Sequence, residues 1–157
     1  MPKTLILPGL DGSPAPHWQH WWAATDPNAL IVEQTDWSCP SPEAWETEVA
    51  GAILTHPDCI LVGHSLGAIL AARLLSRWPQ LRISAALLVA PADPAVSRRL
   101  ADFAGIPKRP FGIPATVVAS NIGMCNGKRA YLTIAWYFPS KGETASAGRE
   151  MKTCWDR

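Results

Sequence analysis

An α/β domain built on a mainly parallel sheet is the class this chain predicts, and three observations predict it. Short apolar runs alternate with stretches of helical period from residue 4 to residue 119, the pattern of strands joined by crossover helices. One strand-to-helix passage carries the turn Gly63-His64-Ser65-Leu66-Gly67, a G-x-S-x-G pattern. The chain has 157 residues, 48% of them hydrophobic, enough for one domain with a proper core.

The elements follow in order. Residues 4–7 read as a short buried strand ending at Pro8-Gly9, and residues 30–32 as a second strand. Between them, residues 17–24 follow Pro16 and form a short Trp-rich helix. Ser41 is an N-cap residue, Pro42 suits the first helical position, and Glu43 complements the helix dipole, so a helix runs from Pro42 to about Thr55. Residues 58–62 are the strand before the G-x-S-x-G turn and 66–78 the helix after it. A β-rich run at 83–90, a short polar helix near 95–103 and a final strand at 114–119 complete the pattern. Ligands in such sheets bind beyond the strand carboxyl ends, and both the Gly9 loop and Ser65 sit at such ends.

Composition excludes several function classes. A net charge of +1, with no Lys/Arg cluster interleaved with aromatics, leaves no surface for a nucleic-acid partner. No run reaches the ~18 apolar residues of a membrane span, and the first residues lack the apolar stretch of a signal peptide, so a cytoplasmic protein without a membrane partner is expected. Cys39, Cys59, Cys125 and Cys154 form no C-x-x-C pair, which predicts free thiols, no metal and no cofactor.

The chemistry centres on Ser65. A turn this tight forces its serine into strained backbone and lifts the hydroxyl off the sheet, while the flanking glycines avoid Cβ clashes. Ser65 is therefore the candidate nucleophile. The oxyanion hole of such a site needs the N–H after the nucleophile and one from the loop after an early strand, which are those of Leu66 and Leu10. Gly9, His17, Trp18 and His64 are candidates for the substrate pocket, although tryptophans on a short helix serve packing as readily. A serine nucleophile also needs a base. The four histidines are His17, His20, His56 and His64, so none follows Ser65. His64 is adjacent to Ser65 at a sharp turn and is a poor base, and His56 is expected at the surface. His17 alone is carried by a loop that could overhang the site, but no imidazole is expected within reach of the hydroxyl. Asp93, past a strand end, reads as a turn or cap residue.

Taken together, Leu7-Pro8-Gly9, Gly12-Ser13, His17-Trp18, Gly63-His64-Ser65-Leu66-Gly67, Val89-Ala90-Pro91 and the Pro114 strand resemble the small α/β-hydrolase family of YdeN and retinoblastoma-binding-protein-nine type serine hydrolases. The resemblance covers residues 1–120 and implies a three-layer α/β-hydrolase-like domain without a large lid. It also implies Ser65 as nucleophile and esterase-like or peptidase-like action on small acyl substrates. In that family an Asp-containing turn follows the strand matching 114–120 and a Gly-His pair comes later; neither is present here. Residues 121–157 thus read as a divergent, poorly ordered tail, and the C-terminal part of the fold as incomplete. A single-base deletion near codon 121 can convert a family-like Ser-Asn-Asp-Arg string into Ser120-Asn121-Ile122-Gly123, although the shifted frame does not restore the Gly-His pair. The leading expectation is a serine hydrolase of small acyl esters, impaired by loss of its acid and base. An acyl thioesterase or acyltransferase and a non-catalytic binding module on the same scaffold are the competing readings.

Overall fold

The computed structural model describes residues 1–95, 97–106 and 111–119, together with the backbone of a strand at 133–137. The order is β1 (Thr4–Leu7), α1 (Trp18–Thr25), β2 (Ala29–Ile31), α2 (Pro42–Thr55), β3 (Cys59–His64), α3 (Leu66–Arg77), β4 (Ile83–Val89), a 3-10 helix (Arg98–Phe103), β5 (Ala115–Ala119) and β6 (Thr133–Tyr137). The sheet order is β2-β1-β3-β4-β5-β6. The first five strands are mutually parallel, and β6 pairs antiparallel with β5.

The order reverses direction after β2, since β1 to β2 steps one way and β2 to β3, β4 and β5 steps the other. With right-handed crossovers this puts α1 on one face and α2, α3 and the 3-10 helix on the other. Three layers result. Side chains of the strands alternate accordingly. Leu5, Leu7, Leu61 and Leu88 join the core shared with α2 and α3. Their neighbours Ile6 and Val62 lie outside that cluster yet are 0% and 1% exposed, because α1 covers them. On the α2–α3 face, Trp45 stands edge-on to Phe103, and both are almost completely buried.

Most elements fall where local chemistry puts them. Ser41 caps α2 by accepting the Ala44 N–H at 3.4 Å, with Pro42 in the first turn. His17 caps α1 through Nδ1, which accepts the Gln19 N–H at 3.2 Å. The polar helix read at 95–103 is shorter and is a 3-10 helix, because Asp93 Oδ1 accepts the Ala95 N–H and holds the start of that segment in a turn. A strand also exists beyond the one read as final. Thr133–Tyr137 is rich in β-branched and aromatic residues and borders β5, so the outer edge of β5 is paired. His56, expected at the surface, is half-buried at the end of α2. Among the described residues Cys39 and Cys59 are free, the one exposed and the other buried with its thiol pushed up to about 11. Cys125 and Cys154, and the reading of residues 121–132 and 138–157 as a divergent tail with a shifted frame, lie outside the described residues.

Candidate active site

The site is built from the carboxyl ends of β1 and β3. β3 ends at His64 and α3 begins at Leu66, so Ser65 alone makes the turn. Its backbone stands at φ 54° and ψ −116°, a conformation few L-residues adopt. Neighbouring backbone braces it: the Ser65 N–H donates to Val89 O at 3.0 Å, and Ser65 O accepts the Ala92 N–H at 3.2 Å. The glycines around it are required by contact. A Cβ on Gly67 would stand 2.0 Å from Leu7 O, and one on Gly63 would stand 2.5 Å from Gly67 O. Helix α3 thus approaches the end of β1 backbone to backbone. A Cβ on Gly9 would lie 3.1 Å from Ser65 Cβ and 3.6 Å from its Oγ, so the loop after β1 runs directly past the hydroxyl.

That loop is fixed at several points. The Asp11 N–H donates to Trp37 O and the Gly12 N–H to Gly9 O, with Asp11 and Gly12 both at positive φ. Arg99 pairs with Asp11 at 2.9 Å and also donates to Ser38 O, joining the 3-10 helix to both loops. Leu10 is half-buried next to Gly9, and its N–H has no acceptor among the described residues. Leu66 opens α3, where the first amides have no intrahelical partner, and its side chain is fully buried in the core.

The rings of His17, Trp18 and His64 cluster together, and His64 directly precedes the serine in the chain. The His17 and His64 rings are 4.8 Å apart, and Trp18 stands edge-on to His64 at 6.0 Å. Trp18 also meets Trp22 at 6.2 Å, whereas Trp21 is exposed. Burial pushes the His17 imidazole below its ordinary value. His64 is lowered by burial and then by the neighbouring charge of His17. Among the described residues no imidazole bonds to Ser65 Oγ. His17 is also in the wrong tautomer for a base at Nε2: its Nδ1 accepts a hydrogen bond, so the neutral ring carries its proton on Nε2. Asp93 is exposed and occupied with its own turn. No metal-holding group of His, Cys, Asp or Glu occurs among the described residues.

One residue of this region was missed by sequence reasoning. Gln19, on α1, is 0% exposed and bonds to both strands that frame the site. Its signal was weak: a single amide among tryptophans, with partners as many as 43 positions away.

A parallel sheet whose central strand delivers a strained serine to a helix N-terminus is the architecture of an α/β-hydrolase. The serine hydrolase family matches residues 4–137, and the chain belongs to that family. It is 29% identical to a chain described as a YdeN-like hydrolase from Pectobacterium atrosepticum, with a TM-score of 0.63 over 74% of this chain and 62% of that one. The ydeN gene product of B. subtilis is 22% identical, with a TM-score of 0.52 over 71% of this chain and 63% of that one, a likeness of fold. This chain therefore spans about three fifths of the length of these solved relatives. Comparison with the curated proteins gives no match. No helix among the described residues is long and apolar enough to cross a membrane.

Proposed function

We propose that the chain hydrolyses small acyl esters, with Ser65 as the nucleophile and the Leu10 and Leu66 N–H groups as the oxyanion donors. Gly9 lets the acyl group approach along bare backbone, and His17, Trp18 and His64 form the wall against which it rests. The observation that carries this reading is the strained backbone of Ser65 at the carboxyl end of β3, directly beside Gly9. In the first step Ser65 Oγ bonds to the ester carbon and its proton goes to water. The carbonyl π electrons collect on oxygen between the two N–H groups, and the alkoxide then leaves. Water releases the acid from the acyl-enzyme in the second step.

Activity is impaired in this reading, because a serine hydroxyl without general-base help is a weak nucleophile at neutral pH. Loss of triad members costs up to about 10⁶ in turnover, while an oxyanion hole and binding leave roughly 10³ to 10⁴ over water. The test is hydrolysis of a nitrophenyl acetate by the purified chain and by Ser65→Ala. Slow turnover just above buffer, lost in Ser65→Ala, is expected. A form whose tail is returned to the family frame and given its Asp and Gly-His turn is expected to be far more active. Equal rates for the parent and Ser65→Ala would overturn the reading.

A non-catalytic binding module on the same scaffold is the second reading, favoured by one observation: His17 Nδ1 is occupied by the α1 cap. Ligand binding to parent and Ser65→Ala alike, with turnover in neither, is its outcome.

A further inference from the structure

We propose that Gln19 is a positioning residue that sets the distance between the oxyanion loop and the nucleophile; this rests on the hydrolase reading above. Its amide nitrogen donates to Leu7 O at 3.1 Å and to Val62 O at 3.3 Å. Its amide oxygen accepts the Ser13 hydroxyl at 2.8 Å. All three partners belong to chain segments that carry the site. Leu7 is the last residue of β1, two positions before Gly9. Val62 lies in β3, three positions before Ser65. Ser13 closes the loop that begins at Pro8.

The contacts are well placed to transmit position. Gln19 is fully buried and Ser13 nearly so, which leaves no water to substitute for a lost bond. Leu7 O is also the atom against which Gly67 of α3 is pressed, so the end of β1 is held by Gln19 and by the first turn after the nucleophile together. With β1 and β3 tied at their carboxyl ends and Ser13 tied to the same amide, the stretch between Pro8 and Gly12 has its two ends anchored. Leu10, whose N–H is to face the oxyanion, sits in the middle of it. A misplacement of about 1 Å in such an arrangement costs about 10²-fold in rate.

The experiment measures covalent labelling of Ser65 by a fluorophosphonate. Ser65 Oγ bonds to phosphorus, fluoride leaves and the proton goes to water, while the phosphoryl oxygen occupies the oxyanion position. The rate constant and the final labelled fraction are read separately in the parent chain, Gln19→Met and Ser13→Ala. The expected result is a rate constant lowered about 10²-fold in Gln19→Met and about tenfold in Ser13→Ala, the equivalent of one buried hydrogen bond. The final labelled fraction stays as in the parent. A rate constant unchanged in Ser13→Ala overturns the role, and so does a fall confined to the labelled fraction, because that reports only how many chains are folded. If Gln19→Met does not fold, Ser13→Ala decides alone. A parent chain left unlabelled at Ser65 overturns the hydrolase reading and this role with it, whereas equal rates in all three chains overturn this role only.

Discussion

Ser65 holds a backbone conformation that costs about 1–3 kcal/mol for a residue with a Cβ. It persists because Val89 O, the Ala92 N–H and the close approach of Gly67 to Leu7 fix the turn from three directions. The neighbouring imidazoles carry a second cost, which pH reveals. His17 and His64 are both held below the ordinary imidazole value of about 6.5. The unfolded chain takes up these two protons near that value and the folded chain only at lower pH. Within the window the unfolded state binds more protons, so stability rises with pH, is full above about pH 6.5 and declines as pH falls through the lowered values. Thermal unfolding between about pH 7.5 and 5.5 is therefore expected to show a falling Tm at the acid end. His64→Gln removes one of the two lowered groups, so its Tm should fall less. Equal acid slopes in parent and variant would mean that the pair does not carry the effect.

Helices α2 and α3 are joined by a charge pair rather than by apolar contact alone. Arg73 Nε donates to Glu46 Oε1 at 2.8 Å, and both side chains are almost completely buried. The same guanidinium donates to Phe103 O and Ala104 O, so it ties the 3-10 helix to both. Arg77 adds a half-exposed partner at 3.4 Å. Removing one member of a buried pair strands the other, a loss of about 3–5 kcal/mol, whereas replacing both by apolar groups is often neutral. Glu46→Ala should thus lower stability to urea by about that amount, and the double replacement Glu46→Leu with Arg73→Met should recover most of it. Equal losses in the single and double variants would mean that the pair acts through packing. Such ties explain what the sequence could and could not disclose. The bounds of α2 were legible because Ser41, Pro42 and Glu43 state its start in local chemistry. β1 was legible as a buried apolar run, and Ser65 was legible because one five-residue turn contains all it needs. The Gln19 bridge, the Arg73 hub and the Arg99 link to Asp11 were not, since each joins positions far apart in the chain. β6 was missed for a different reason: its short β-forming run was averaged into a polar surrounding stretch.

At the scale of the molecule, the described residues cover the two faces of the sheet unequally. The face under α2, α3 and the 3-10 helix holds the contiguous core. On the other face α1 is the helix among the described residues, and it seals Ile6 and Val62 but not the whole surface. Ile60, Leu87, Val89 and Val118, which alternate with core positions along β3, β4 and β5, are only half-buried. The edge of β5 that a five-stranded sheet would leave open is paired by β6. Partly exposed apolar side chains on a sheet face promote association and bind hydrophobic dyes when they join into a patch. The chain is therefore expected to enhance anilinonaphthalene sulfonate fluorescence in its folded state and to scatter light as concentration rises. Leu54 and Trp78, at 73% and 43% exposed, line a separate groove between α2 and α3 that would also take up dye. Variants separate the two sources. Leu87→Thr with Val118→Thr keeps β-forming residues on the sheet and should remove most of the fluorescence and scatter, while Leu54→Gln should remove little. If Leu54→Gln abolishes both signals and the double threonine variant leaves them intact, the helical groove is the association surface and the sheet face is covered in solution.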